Sequence, residues 1–300
     1  FRSAQLMAKI SEALKTDDCD AYAAKAKAYR NLAQEIKEEF QTRYVDADGD
    51  LKQKSQTAYL LALKQDLFPT EEARKKGLET LTRKIAGNGN RLSTGFVGTA
   101  ILNQTLSQFG ESDTAYNLLL QRGNPSWLYS IDQGATTIWE RWDSYTKEKG
   151  FGPVSMNSFN HYSYGAVSEW MYRTMGGIDI DETRPGFKHI VLQPVPDNRT
   201  EIPAGQERIN WVNASFPSCY GDIKSSWKKE NDGAVSYQIS IPANTTATLH
   251  LQLPTLDYVV EESGKAAVKA EGVSSITFMN GKAVLELQSG SYQFVVKKGK

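Results

Sequence analysis

The residues best equipped for chemistry fall in one stretch, Thr136-Thr137-Ile138-Trp139-Glu140-Arg141-Trp142, where a carboxylate stands between two indoles beside a guanidinium and two hydroxyls. Indole faces cover the apolar C–H faces of sugar rings while carboxylates and amides bond their hydroxyls, so this mixture is what a carbohydrate pocket needs. Glu140 is the candidate catalytic carboxylate, with Trp139, Arg141 and Trp142 as candidate substrate contacts. A structural reading competes. On a helix, Trp139 and Trp142 at i, i+3 would enter the core from one face and leave Glu140 and Arg141 solvated on the other. The residue types leave both readings open.

A second cluster, Asn157-Ser158-Phe159-Asn160-His161-Tyr162-Ser163-Tyr164-Gly165-Ala166, places a Ser or Asn cap before a helix whose first turn holds His161 and Tyr162. Polar side chains at the end of an element sit where a pocket mouth would be, which makes His161 the second candidate. A structural histidine is the alternative, and an unperturbed imidazole is mostly neutral near pH 7. His189 and His250 fall on predicted strands and are expected to be structural. In Arg91-Leu92-Ser93-Thr94-Gly95-Phe96-Val97-Gly98-Thr99, the spacing of Gly95 and Gly98 matches neither a P-loop nor a dinucleotide fingerprint, so close backbone packing at a helix start is expected. Asp46-Ala47-Asp48-Gly49-Asp50 resembles the opening of a calcium loop, but Thr57 stands where the twelfth-position Glu belongs, and a surface turn is expected. The two cysteines, Cys19 and Cys219, make neither a disulfide framework nor a four-ligand zinc site. No metal and no cofactor is expected.

The elements that must position these residues change character along the chain. Apolar residues recur at helical spacing over 3–14 and 21–44, as in Ala28, Leu32, Ile36 and Phe40, giving two antiparallel helices with Thr16 or Asp17 as a cap for the second. Further helices are expected at 57–67, 71–86, 95–109, 113–121 and 160–175, separated by turn residues such as Pro69 and Gly110. Beyond Gly176-Gly177 the pattern becomes alternating and rich in Val, Ile, Thr and Tyr. Strands are expected at 188–193, 209–215, 221–229, 234–241, 246–251, 274–279, 283–287 and 291–297, with Asn231-Asp232-Gly233 and Asn280-Gly281 as hairpin turns. Paired helices followed by sheet are what part of an (α/α)6 barrel and an antiparallel β-sandwich would produce. The boundary is placed near residue 178, giving 1–178 and 179–300.

Composition narrows the partners. Lys+Arg and Asp+Glu each total 35, so no net positive field exists to hold a nucleic acid or an anionic membrane. No stretch approaches the ~18 uninterrupted apolar residues of a membrane span. The 300 residues, 40% hydrophobic and 23% charged, can fill a core and exceed what one core usually serves. The chain opens directly in helical periodicity with no initiator Met, which suggests a fragment or a processed product.

Four segments in this order resemble the glycoside hydrolase family of bacterial α-L-rhamnosidases: 55–63, 92–99, 134–142 and 158–162. The resemblance covers essentially the whole chain. It implies an (α/α)6 barrel followed by a β-sandwich, an inverting mechanism, and a partner glycan or glycoside ending in α-linked L-rhamnose. It also implies that Glu140, in Thr-Ile-Trp-Glu, is the general base and that His161, in Phe-Asn-His-Tyr, touches the sugar, with Trp139 and Trp142 as pocket walls. The family's general acid lies in an earlier acidic run before a Gly-Trp pair, and no such run is present. The acid and the first part of the barrel are therefore expected in a missing N-terminal part of the same protein, and the 300 residues by themselves are expected to be inactive. The expected location is periplasmic or extracellular, with a cytoplasmic one as the alternative. Two other readings remain: a non-catalytic glycan-binding fragment, and a related (α/α)6 hydrolase or phosphorylase acting on another sugar.

Overall fold

The computed structural model describes residues 1–14 and 20–299, which form two compact units: 1–109 with 121–164, and 110–120 with 165 onward. Thr16, Asp17 and Cys19 lie outside the described residues.

The first unit is helical. Helices α1 (Arg2–Ala13) and α2 (Asp20–Tyr44) pack together through small side chains, Ala4, Ala8, Ala26 and Ala33, all buried. Helix α3 (Gln56–Lys64) packs against both α4 (Glu71–Gly87) and α5 (Phe96–Gln108). Side-chain oxygens set two of these starts: Ser55 accepts from the Ala58 amide and Thr70 from the Ala73 amide, both at 3.1 Å, satisfying donors that the helix itself cannot. Gly98 meets the expectation of close packing, since a Cβ there would lie 2.5 Å from Thr57 Oγ1; at Gly95 the space is open. The buried Gln56 amide bonds the Arg91 carbonyl and the Ser93 N–H, which holds the turn entering α5. In the acidic turn, Asp46 accepts from the Asp48 and Asp50 amides while Asp50 takes Lys54 and the Tyr59 hydroxyl, so these carboxylates have internal partners.

The second unit begins with α6 (Ser112–Leu119) and resumes with α8 (Val167–Trp170), which follows the short helix α7 (Trp127–Asp132) of the first unit in chain order. The helix expected over 160–175 is instead a chain of three geometries: a 3-10 turn at Tyr162–Ala166, then α8, then a π-helical turn at Met171–Met175. After a two-residue-per-strand hairpin in the first unit, β1 (Tyr145–Thr146) and β2 (Gly150–Phe151), the remaining strands build a sandwich.

One sheet has the order β11-β12-β8-β4-β3, from β3 (Ile178–Ile180), β4 (His189–Leu192), β8 (Thr246–Gln252), β11 (Val273–Met279) and β12 (Lys282–Leu287). The other has the order β10-β9-β13-β7-β6-β5, from β5 (Trp211–Ser218), β6 (Gly221–Lys229), β7 (Val235–Ile241), β9 (Tyr258–Glu262), β10 (Lys265–Ala266) and β13 (Gly290–Lys298). The pairing is antiparallel throughout except between β4 and β8, which run parallel. Inward residues of both sheets, including Ile223, Trp227, Phe294, Leu249 and Leu285, form one core. His189 is buried between Thr246 Oγ1 (2.7 Å) and Thr248 Oγ1 (2.9 Å), as a structural histidine should be, and burial lowers its pKa.

A buried ion pair fastens α6 to this unit. Arg199 spends all five N–H groups: on both oxygens of Asp197 (2.9 and 2.8 Å), Asn117 Oδ1, Gln206 Oε1 and the Glu207 carbonyl. Tyr116 of the same helix donates to the Val195 carbonyl at 2.7 Å. Burial alone would raise the Asp197 carboxyl, but Arg199 and the Ile209 amide outweigh it and hold it below the usual carboxylate range. A depressed carboxylate stabilises the fold above its unfolded pKa of about 4 and loses that contribution as the pH falls through the lower folded value. Asp197→Ala, which strands a buried guanidinium, is expected to cost about 3–5 kcal/mol in urea unfolding at pH 7. The difference between wild type and variant should shrink below about pH 4.

Candidate active site

Residues 136–144 are not helical, so the i, i+3 geometry that would place Trp139 and Trp142 on one helix face does not exist. The segment leaves the C-terminus of α7, whose start is capped by Ser126 Oγ accepting from the Tyr129 amide, and runs as an irregular loop beside residues 158–161. Two main-chain hydrogen bonds join the loops: the Glu140 amide donates to the Ser158 carbonyl and the His161 amide to the Ile138 carbonyl, both at 2.9 Å. Thr137 Oγ1 adds a bond to the Phe159 carbonyl. Glu140 and His161, 21 positions apart in sequence, thus stand on two loops joined by backbone pairing.

Glu140 is half-buried. Its Oε2 accepts from the Ser158 amide at 2.8 Å, and Oε1 has no hydrogen-bond partner among the described residues. One oxygen is therefore held and one is available. Arg141 is exposed and turns to Asp143 (Nε to Oδ1, 3.5 Å), so the cation adjacent in sequence is not the carboxylate's partner.

His161 stacks on Phe96, the first residue of α5, with ring centroids 4.5 Å apart and planes 15° apart. The exposed Tyr162 ring lies parallel at 6.0 Å. His161 Nδ1 is buried without a hydrogen-bond partner among the described residues, which leaves Nε2 as the nitrogen able to meet a ligand.

The two tryptophans differ. Trp139 is 7% exposed and packs edge-on against Phe159, a buried support behind the loop. Trp142 is half-buried and lies face to face with Tyr164 (3.8 Å, 17°), with Trp127 edge-on to it at 5.4 Å. The Trp127 indole N–H donates to the Tyr164 carbonyl at 2.8 Å, closing the aromatic stack.

The loop's turn is fixed by the buried Ser144. Its hydroxyl bonds the Arg141 amide and carbonyl, while its carbonyl accepts from the Gly152 amide (2.8 Å) and Asn157 Nδ2 (2.9 Å). Ser130 Oγ bonds the Trp142 carbonyl at 2.7 Å. The arrangement presents a positioned carboxylate and an imidazole on one framework with an aromatic wall. Sequence reasoning missed Phe96, Tyr164, Ser144 and the Ser158 amide. Phe96 stands inside a segment already singled out and could have been found there, whereas a main-chain donor has no signature.

The chain matches a family model described as the bacterial alpha-L-rhamnosidase 6 hairpin glycosidase domain over residues 1–175 and one for the bacterial alpha-L-rhamnosidase C-terminal domain over residues 177–266. It is 38% identical over 294 residues to an alpha-L-rhamnosidase of Streptomyces avermitilis, covering 98% of this chain and 26% of that protein. It is 36% identical to an alpha-L-rhamnosidase of Formosa agariphila, covering 98% and 30%. The crystal structure of Streptomyces avermitilis alpha-L-rhamnosidase complexed with L-rhamnose superposes with a TM-score of 0.83 at 37% identity, over 98% of this chain and 26% of that one. The chain thus spans between a quarter and a third of the length of these relatives. The helical region followed by antiparallel-rich sheets agrees with the expected part-barrel and sandwich.

Packing separates the roles of neighbouring residues in the loop. Trp139→Ala is expected to destabilise the protein by about 3–5 kcal/mol, as a buried Trp truncation does. Ile138→Ala, at a side chain 39% exposed, should cost less than about 1 kcal/mol in the same denaturation assay.

Proposed function

Since the chain belongs to the bacterial α-L-rhamnosidase family, we propose that the protein containing it removes terminal non-reducing α-L-rhamnose from glycans or glycosides by an inverting mechanism, with Glu140 as general base. The observation that carries this reading is the state of the Glu140 carboxylate: Oε2 is held by the Ser158 N–H at 2.8 Å and Oε1 is unpartnered. In an inverting glycosidase one carboxylate deprotonates the attacking water while a carboxylic acid on the opposite face protonates the leaving oxygen, the two about 6.5–9.5 Å apart. Oε1 would take the proton as the water oxygen bonds the anomeric carbon and the glycosidic bond breaks. The acid partner in this proposal comes from a part of the protein outside these 300 residues, in keeping with the 26–30% of the relatives' length that the chain covers.

His161 has the role of a sugar contact through Nε2, its ring orientation fixed by the stack on Phe96. Trp142 and its stacked Tyr164 form the aromatic wall, Trp139 supports the loop from behind, and Arg141, exposed beside Asp143, contacts substrate at the rim. The L-rhamnose in the Streptomyces avermitilis complex supports the choice of sugar.

In the full-length protein, Glu140→Gln is expected to preserve folding and lower kcat on an aryl α-L-rhamnoside by at least about 100-fold. Turnover near wild type would remove Glu140 from the role. His161→Ala is expected chiefly to raise KM and weaken L-rhamnose binding, since a contact made in ground and transition states alike appears in KM. Unchanged KM and kcat together would refute that contact.

A further inference from the structure

The outer face of the six-stranded sheet carries a group of side chains unlike the rest of the sandwich surface. On β5 the outward positions include Trp211 and Asn213, on β6 Ser226 and Lys228, and on β7 Ser236 and Gln238. The register aligns them in two rows across three strands: Trp211 with Lys228 and Ser236, and Asn213 with Ser226 and Gln238. Neighbouring strands lie about 4.8 Å apart, so each row sets successive groups at the spacing of a pyranose ring's width. Together they line a cleft of about 370 Å³.

Two features of this cleft point to a ligand. Trp211 is 61% exposed, an indole left in water on the outward side of the edge strand. Beside it, the side chains of Asn213, Ser226 and Gln238 make no hydrogen bond to the protein among the described residues, so two amides and a hydroxyl offer free donors and acceptors on one surface. The charges nearby are already matched. Lys228 Nζ lies 3.3 Å from Glu230 Oε2, and Ser236 Oγ donates to Glu230 Oε1 at 2.7 Å. An aromatic platform, unpaired neutral donors and acceptors, and no net charge complement a neutral polyhydroxylated ring with an apolar face. They do not suit an anion or an apolar helix. Peptide addition at the free edge of β5 is a different geometry, because the group stands on the face of the sheet, and Pro217 interrupts that edge.

We propose that this face is a saccharide-binding site, distinct from the Glu140 site and placed in the other compact unit, with Trp211 as stacking platform and Asn213, Ser226 and Gln238 as hydroxyl partners. Its ligand class is a neutral oligosaccharide such as the glycan chain that bears the terminal sugar.

The test is calorimetric titration of the full-length protein with a sulfur-linked α-L-rhamno-oligosaccharide, which resists hydrolysis whatever the role of Glu140. Wild type should bind at one more site per molecule than Trp211→Ala, or show that site at least about 10-fold weaker in the variant. Turnover of a small aryl rhamnoside should stay within about twofold, since the substituted indole belongs to neither the Glu140 nor the His161 contacts. The double variant Asn213→Ala/Gln238→Ala should lose the same site with the indole left in place. Identical stoichiometry and affinity in wild type and Trp211→Ala overturns the proposal, as does a loss of aryl rhamnoside turnover that parallels the loss of binding. Loss of turnover in Glu140→Gln, or its retention, bears only on the catalytic reading.

Discussion

Backbone pairing between residues 138–140 and 158–161 is the constraint from which the candidate site follows. Two main-chain bonds of 2.9 Å fix the separation of the loops, and the side chains of Glu140 and His161 inherit their places from it. Neither loop is regular secondary structure, so their stiffness has to come from elsewhere. It comes from Ser144, whose hydroxyl and carbonyl serve four partners, and from Trp142, Tyr164 and Trp127 packed face and edge. Helix α5 enters the same assembly through Phe96, and α5 is itself seated on α3 by the Gly98 to Thr57 approach. The helical scaffold thus reaches the site through Phe96 of α5 and through Trp127 and Ser130 of α7.

The second unit is held by a different device. A guanidinium and a carboxylate with almost no exposure would be a heavy desolvation cost if either were left short of partners. Arg199 uses every N–H, and the carboxylate of Asp197 takes a main-chain amide as well, so the pair is complete. Its reach to Asn117, with Tyr116 on the Val195 carbonyl, ties α6, which follows the helices of the first unit in sequence, to the 195–207 segment of the second unit.

Much of the architecture was legible because period and punctuation agree. The strand over 221–229 coincides with β6 to the residue, and α5 and α6 start and stop within about two residues of their turn signals, where assignments ordinarily scatter. The shortfalls have physical causes. Strand β3 has three residues and β10 two, too few for alternation to register, and the parallel pairing of β4 with β8 depends on chain path. The stretch 162–175 carries a helical period but folds as 3-10, α and π turns in succession, because i, i+3 and i, i+4 patterns barely distinguish them. At the site, residue types picked out Glu140 and His161, yet Trp139 and Trp142, identical in type and three apart, ended as a buried support and a stacked half-exposed face. Nothing in the sequence separates them, because the difference lies in a loop path set by main-chain bonds.

That the carboxylate's partner is an amide of the main chain bears directly on what the site can do. A guanidinium paired in its usual forked geometry would engage both oxygens of Glu140 at once. Arg141 stands next to Glu140 in the sequence but turns to Asp143, and the single N–H of Ser158 fixes the carboxylate through one oxygen only. Rotation about the side chain is thereby restricted while the second oxygen stays available, which is the arrangement general-base catalysis asks for: a fixed acceptor with a free lone pair. His161 is treated alike. Its ring is clamped by stacking, with Nδ1 enclosed, so orientation is obtained without consuming Nε2. In both residues the fold immobilises the group by the atoms that the proposed reaction does not use.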